Sequence, residues 1–135
     1  MNQHKLKYIL VIAFIIIGCS SERDKIERKI YSFSTNFPTA LLLRTLERVD
    51  VKFEVSWNIC KPQIFWSIYQ EFNESTIKNE VYKSVWHRAR YESTLYKNND
   101  FLIQDPSVVD RIKDKAQNKI TELGICIKKL KIAKI

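Results

Sequence analysis

In the stretch VDVKFEVSWNI, Val49 to Ile59, the residues Val49, Val51, Phe53, Val55, Trp57 and Ile59 are apolar, and Asp50, Lys52, Glu54, Ser56 and Asn58 between them are polar. Side chains alternate across a strand, so this pattern writes a β-strand with one buried and one wet face. Antiparallel meanders and edge strands of mixed sheets both give such alternation, and the flanking segments must decide between them.

Upstream, YSFSTNF (Tyr31 to Phe37) alternates aromatic and polar residues and reads as a strand ended by Pro38, which cannot donate to a ladder. The segment ALLLRTLERV fits a short helix or a strand equally by periodicity, and a hairpin ahead of Val49 is expected. Downstream, Ile64, Phe65, Ile68, Tyr69 and Phe72 predict a short helix between Gln63 and Phe72. Ile77, Val81, Val85 and Ala89 recur every four residues and predict an amphipathic helix over Thr76 to Leu95. After the turn formers of KNND and the short apolar piece FLI comes a well-punctuated helix. Asp105 can cap it, Pro106 suits its first position, and Gly124 can close it in the left-handed conformation. Its apolar stripe runs Val109, Ile112, Ala116, Ile120, Leu123. The final GICIKKLKIAKI predicts a strand whose phase slips at Lys128-Lys129, as a bulge or bend would make it.

Strand, helical crossover, strand predicts an α+β domain: a small mixed sheet with helices on one face. If the crossover makes the two long strands parallel, Cys60 and Cys126 lie at opposite ends of the sheet, farther apart than a disulfide can span, and both are expected as free thiols. An antiparallel pairing would bring them together.

The chain has 135 residues, 45% of them hydrophobic and 28% charged, which suits one small domain. Its formal charge of +8 is scattered apart from KKLK near the end. No basic cluster is interleaved with aromatics, so a nucleic-acid partner is not expected. The N-terminus is more specific. Lys5 and Lys7 precede an apolar block from Tyr8 to Ile17, followed by Gly18-Cys19-Ser20-Ser21. A block this short falls below a bilayer's thickness and reads as a secretory signal. Gly18 supplies the small residue at a lipoprotein-type cleavage site and Cys19 the thiol that takes the lipid. Residues 1–18 are thus expected as signal peptide, 19–30 as lipidated cysteine and tether, and 31–135 as the domain. The alternative is an uncleaved signal anchor. Both place the domain on the extracytoplasmic side of a bacterial membrane.

Asp50, Val51, Phe53, Val55, Trp57 and Ile59 resemble the first signature strand of the stomatin/prohibitin/flotillin family, the SPFH or band 7 domain. Gly124, Ile125, Ile127, Leu130, Ile132 and Ile135 resemble its closing strand, and Val108, Ile112, Ala116 and Ile120 the helix before it. The resemblance covers residues 46 to 135 and rests on apolar spacing, not on a catalytic motif. It implies a non-enzymatic scaffold or interaction protein that binds its own copies or a membrane protein. The segment ahead of the first signature is compressed and lacks glycine. The resemblance ends at Ile135, so assembly through a following coiled coil is not expected. The second functional reading is a small lipoprotein of unrelated fold that binds a soluble ligand or protein.

Little in the sequence supplies catalysis. His4 and His87 are the only histidines, and Gly18 and Gly124 the only glycines. No triad, metal-ligand spacing or phosphate-cradling loop can be written with them, so no catalytic residue, metal or cofactor is expected. Trp57, Trp66 and Trp86 fit core packing better than a ligand platform. Lys128, Lys129, Lys131 and Lys134 either contact phospholipid head groups or form a solvated strand face.

Overall fold

The computed structural model describes residues 22–35 and 38–135. Gly18, Cys19 and the signal segment lie outside the described residues. The stretch read first is the central strand, β3 (Arg48–Ile59), of a four-stranded sheet. On one side β1 (Tyr31–Ser34) and β2 (Thr39–Leu42) pair with its C-terminal and N-terminal halves in turn, and on the other lies β4 (Ile125–Lys134). Every pairing is antiparallel, so the expected mixed sheet is corrected to an antiparallel one within an α+β fold.

Alternation does what it predicts. Val49, Val51, Phe53, Val55, Trp57 and Ile59 are all buried, and the polar residues between them face out. ALLLRTLERV resolves into β2 and a tight hairpin. The Leu43 N–H donates to the Glu47 carbonyl at 2.9 Å, and Leu46 takes φ 68° to turn the chain.

The helices are α1 (residues 22–28), α2 (Pro62–Ile68), α3 (Glu74–Ser93), α4 (Phe101–Gln104) and α5 (Ser107–Ile120). α3 starts earlier than its apolar stripe suggests because Asn73 caps it, accepting from the Thr76 N–H at 3.1 Å. Ile77, Val81, Val85 and Ala89 are fully buried. In α5 the buried stripe is Val108, Ile112, Ala116 and Ile120, with Val109 half-buried. A 3₁₀ turn, Thr121–Leu123, then leads to Gly124 at φ 79°. The left-handed stop is doubly required there, since a Cβ would lie 2.6 Å from the Lys61 carbonyl and 2.7 Å from the Phe65 nitrogen.

The direction of β4 follows from the number of helical passes. Contacts such as the Ser84 hydroxyl on the Ala116 carbonyl and Glu92 beside Arg111 pair rising numbers in α3 with falling ones in α5, so the two helices are antiparallel. The chain leaves β3, returns along α3, comes back along α5, and enters β4 where β3 ended. A single helical pass would have made the strands parallel; two make them antiparallel. The expected slip at the lysines is a bulge. Ser56 faces Lys129 and Trp57 faces Ile127, leaving Lys128 unpaired.

The same parity overturns the free-thiol expectation. Asn58 faces Cys126, and Cys60 and Cys126 form a disulfide with Cα atoms 5.6 Å apart. The expected tether is also corrected. Residues 22–28 are helical, Ile26 packs against the core, and the Trp66 indole donates to Glu27 at 2.8 Å. Arg23 lies over the Trp66 ring, 4.7 Å from its centroid.

Candidate functional site

The helices cover one face of the sheet and leave the other open. Because β3 alternates, its outward residues Lys52, Glu54 and Ser56 line this open face, with Ser32 and Ser34 of β1 beside them. Lys129 and Lys131 complete it from β4, opposite Ser56 and Glu54. A shallow polar depression of about 470 Å³ results, lined by Ser32, Ser34, Glu54, Ser56, Lys129 and Lys131. Of the four lysines singled out in the sequence, the structure brings Lys129 and Lys131 together here. Lys128 is exposed at the bulge. Lys134 falls on the helix side of the strand's alternation and bridges to Asp100 at 3.0 Å, so it does not belong to this face.

The disulfide crosslinks β3 and β4 at one end of the sheet. The Cys60 and Lys61 N–H groups both donate to the Gly124 carbonyl, at 3.0 and 3.1 Å. At the same end the Tyr31 ring stacks on Trp57 with centroids 4.5 Å apart, and its hydroxyl donates to the Ile26 carbonyl at 3.1 Å. Burial and the nearby Glu74 carboxylate raise the Tyr31 pKa above its ordinary value. Trp57 is therefore a core residue, as its spacing predicts. Trp66 and Trp86 are only half-buried and carry Arg23 and Arg90 on their rings.

One polar cluster escaped sequence reading. Glu92, 3% exposed, receives Arg88 at 3.5 Å from its own helix and Arg111 at 3.7 Å from α5. Arg111 also reaches Asp105 at 3.4 Å and donates to the Tyr96 hydroxyl, which itself donates to Asp105 at 3.0 Å. Hydrogen bonds from Ser107 first, then Tyr96, and the Arg111 charge hold the Asp105 carboxyl below its usual range. Burial, then the Asp105 bond, push the Tyr96 hydroxyl up. The N-cap of α5 is Pro106 rather than the expected Asp105, which stands one residue earlier and accepts from the Ser107 N–H at 3.2 Å. The i,i+4 spacing of Arg88 and Glu92 was legible; the arrival of Arg111 depends on how the helices pack. The cluster clamps α3 to α5.

His87 is exposed on α3. Among the described residues no group of three His, Cys, Asp or Glu side chains could hold a metal ion, and no helix is long and apolar enough to cross a membrane. In comparisons with known proteins, no family model matches the chain and no curated protein is significantly similar to it.

Proposed function

We propose that this protein is a bacterial lipoprotein. Its small α+β domain, resembling a minimal SPFH module, is held against the extracytoplasmic side of a membrane as a non-enzymatic scaffold. The observation that carries the reading is the docking of α1. With residues 22–28 folded onto α2, only three residue steps separate Cys19 from the folded domain, a reach of roughly 10 Å when fully extended. A lipid on Cys19 would therefore hold the domain directly at the bilayer, and the several acyl chains of a lipoprotein anchor far more firmly than one. Function follows by local concentration: a surface confined to the membrane meets its own copies or a membrane protein at raised effective concentration.

Two further features support this. The Cys60–Cys126 disulfide suits an oxidising, extracytoplasmic compartment. Lys129 and Lys131 stand two strands from β1, roughly 10 Å across the sheet from it. Each such cation near an anionic leaflet contributes about 1 kcal/mol.

The test is metabolic palmitate labelling with and without globomycin. The chain should take up label, accumulate as precursor under globomycin, and lose the label in Cys19→Ala. An unlabelled chain, or a label indifferent to Cys19→Ala, overturns the lipoprotein reading. Crosslinking in intact cells followed by co-purification should recover copies of the chain or a membrane protein.

A further inference from the structure

The two edges of the sheet are treated differently. Along β4 the first half of the edge is closed by a side chain: the Gln117 amide donates to the Ile125 carbonyl at 3.1 Å and accepts from the Ile127 N–H, as a neighbouring strand would. The bulge at Lys128 and the lysines beyond it protect the rest, a usual defence against strand addition.

β2, on the opposite edge, has no such protection over part of its length. The hydrogen-bonded Leu43–Glu47 pair fixes the phase of the ladder, so Leu41 and Thr39 bond to β3 while the N–H and C=O of Ala40 and Leu42 point outward. The Leu42 carbonyl is taken by the Ser93 hydroxyl at 2.8 Å, and farther on the Arg44 N–H by the Tyr96 carbonyl at 2.9 Å. The Ala40 N–H, the Ala40 carbonyl and the Leu42 N–H meet no partner among the described residues. They border a groove of about 710 Å³ whose walls are Ala40 and Leu42 of β2 and Trp86, Arg90 and Tyr91 of α3, with Arg48 from β3. Leu42 and Tyr91 are 48% and 54% exposed, so apolar surface is on offer there.

Charge selects the occupant. Arg48 is held by Asp50 at 2.7 Å, but Arg90 stacks on Trp86 with its guanidinium 4.8 Å from a ring centroid and, among the described residues, joins no ion pair. No carboxylate lines the groove. A second copy of this basic chain offering its β4 edge would bring Lys128, Lys129 and Lys131 toward Arg48 and Arg90, which repulsion disfavours. We infer that the β2 edge and the flank of α3 form a docking site for an extended acidic segment of a partner protein, which adds to the sheet as a strand. Its backbone would bond Ala40 and Leu42, an apolar side chain would lie on Trp86 and Tyr91, and a carboxylate would pair with Arg90. This deepens the interaction half of the function proposed above and rests on it, but needs no lipid on Cys19.

The test pans a displayed library of linear peptides of about six residues against the full-length chain in detergent, as wild type and as Cys19→Ala. Enriched sequences should carry Asp or Glu among β-branched or aromatic residues and bind both proteins alike, which separates this site from the anchoring question. Affinity of the best synthetic peptide, read by fluorescence anisotropy, should fall about tenfold or more in Arg90→Glu. It should fall similarly in Ala40→Pro, which deletes an outward N–H that the fold itself does not use. N-methylation of alternate peptide amides should abolish binding in one of the two phases. Arg90→Glu changes an exposed helix position, so it decides the matter even if the proline variant unfolds. The inference is overturned by no enrichment, by enrichment of basic or uncharged peptides, or by binding that survives Arg90→Glu. It is equally overturned by self-association that Ala40→Pro removes, which would make the occupant a second copy.

Discussion

Replacing Cys60 and Cys126 by alanine, or reducing the bond between them, should cost about 4 kcal/mol of stability. The bridge closes a segment with a sequence separation of 66, and the chain-entropy relation assigns a loop of that length about 4 kcal/mol at 25 °C. Little of this should be recovered by relaxation of the native state. The facing pairs Asn58–Cys126 and Ile59–Ile125, and the bonds from the Cys60 and Lys61 N–H groups to the Gly124 carbonyl, keep the two backbones in place without the bridge. The loss therefore falls on the unfolded chain, which regains its freedom. For a chain of this size the melting temperature should drop by about 10–15 °C, with the far-ultraviolet circular dichroism of the folded protein unchanged below the transition. The assay is urea and thermal unfolding of the Cys19→Ser chain with and without reductant, beside the double-alanine variant. Alkylation without reduction followed by peptide mass spectrometry should find the Cys60–Cys126 crosslink. Absence of that crosslink would refute the bridge between Cys60 and Cys126. A crosslink whose loss changes stability by less than about 1 kcal/mol would refute the entropic account.

Gly124→Ala should destabilise by about 3 kcal/mol. About 1–2 kcal/mol comes from the left-handed backbone and the rest from the collision of the new Cβ with the Lys61 carbonyl and Phe65 nitrogen. Gly124→Asn, which tolerates the backbone but keeps the Cβ, should also be destabilised, and urea unfolding that finds either variant within about 1 kcal/mol of wild type contradicts the geometry. The Asp105 carboxyl is held below its ordinary value, so the folded state gains from its ionisation. That gain is complete above the unfolded-state pKa of about 3.9 and is lost as pH falls through the lower folded value. Carboxyl-carbon NMR should therefore give Asp105 a midpoint under about 3.9, and Arg111→Ala should move it upward; a midpoint at or above the ordinary value contradicts the cluster.

Much of this molecule is written locally. The alternation from Val49 to Ile59 sufficed for a one-sided strand, because neighbouring side chains in a strand point to opposite faces whatever it pairs with. Four-residue spacing sufficed for α3 and α5, and Gly124 for the turn between α5 and β4. The phase slip at Lys128 announced the bulge. Direction was another matter. Whether β4 runs with β3 or against it depends on how many helical passes lie between them, and α3 and α5 count as two only because they pack antiparallel across Ser84–Ala116 and Glu92–Arg111. The disulfide inherits that decision, since it requires the end of one strand to meet the beginning of the other. So do the open lysine pair, the exclusion of Lys134 from it, and the closure of one sheet edge by Gln117. Each joins residues from different elements, and no local period encodes the distance between them. The docking of residues 22–28 has the same origin: a charged segment reads as a tether until Trp66, far along the chain, offers its indole to Glu27. Sequence determined the elements and the faces they would bury, because those depend on spacing along one segment. Tertiary packing decided which ends meet, and with them the crosslink, the open face and the free edge.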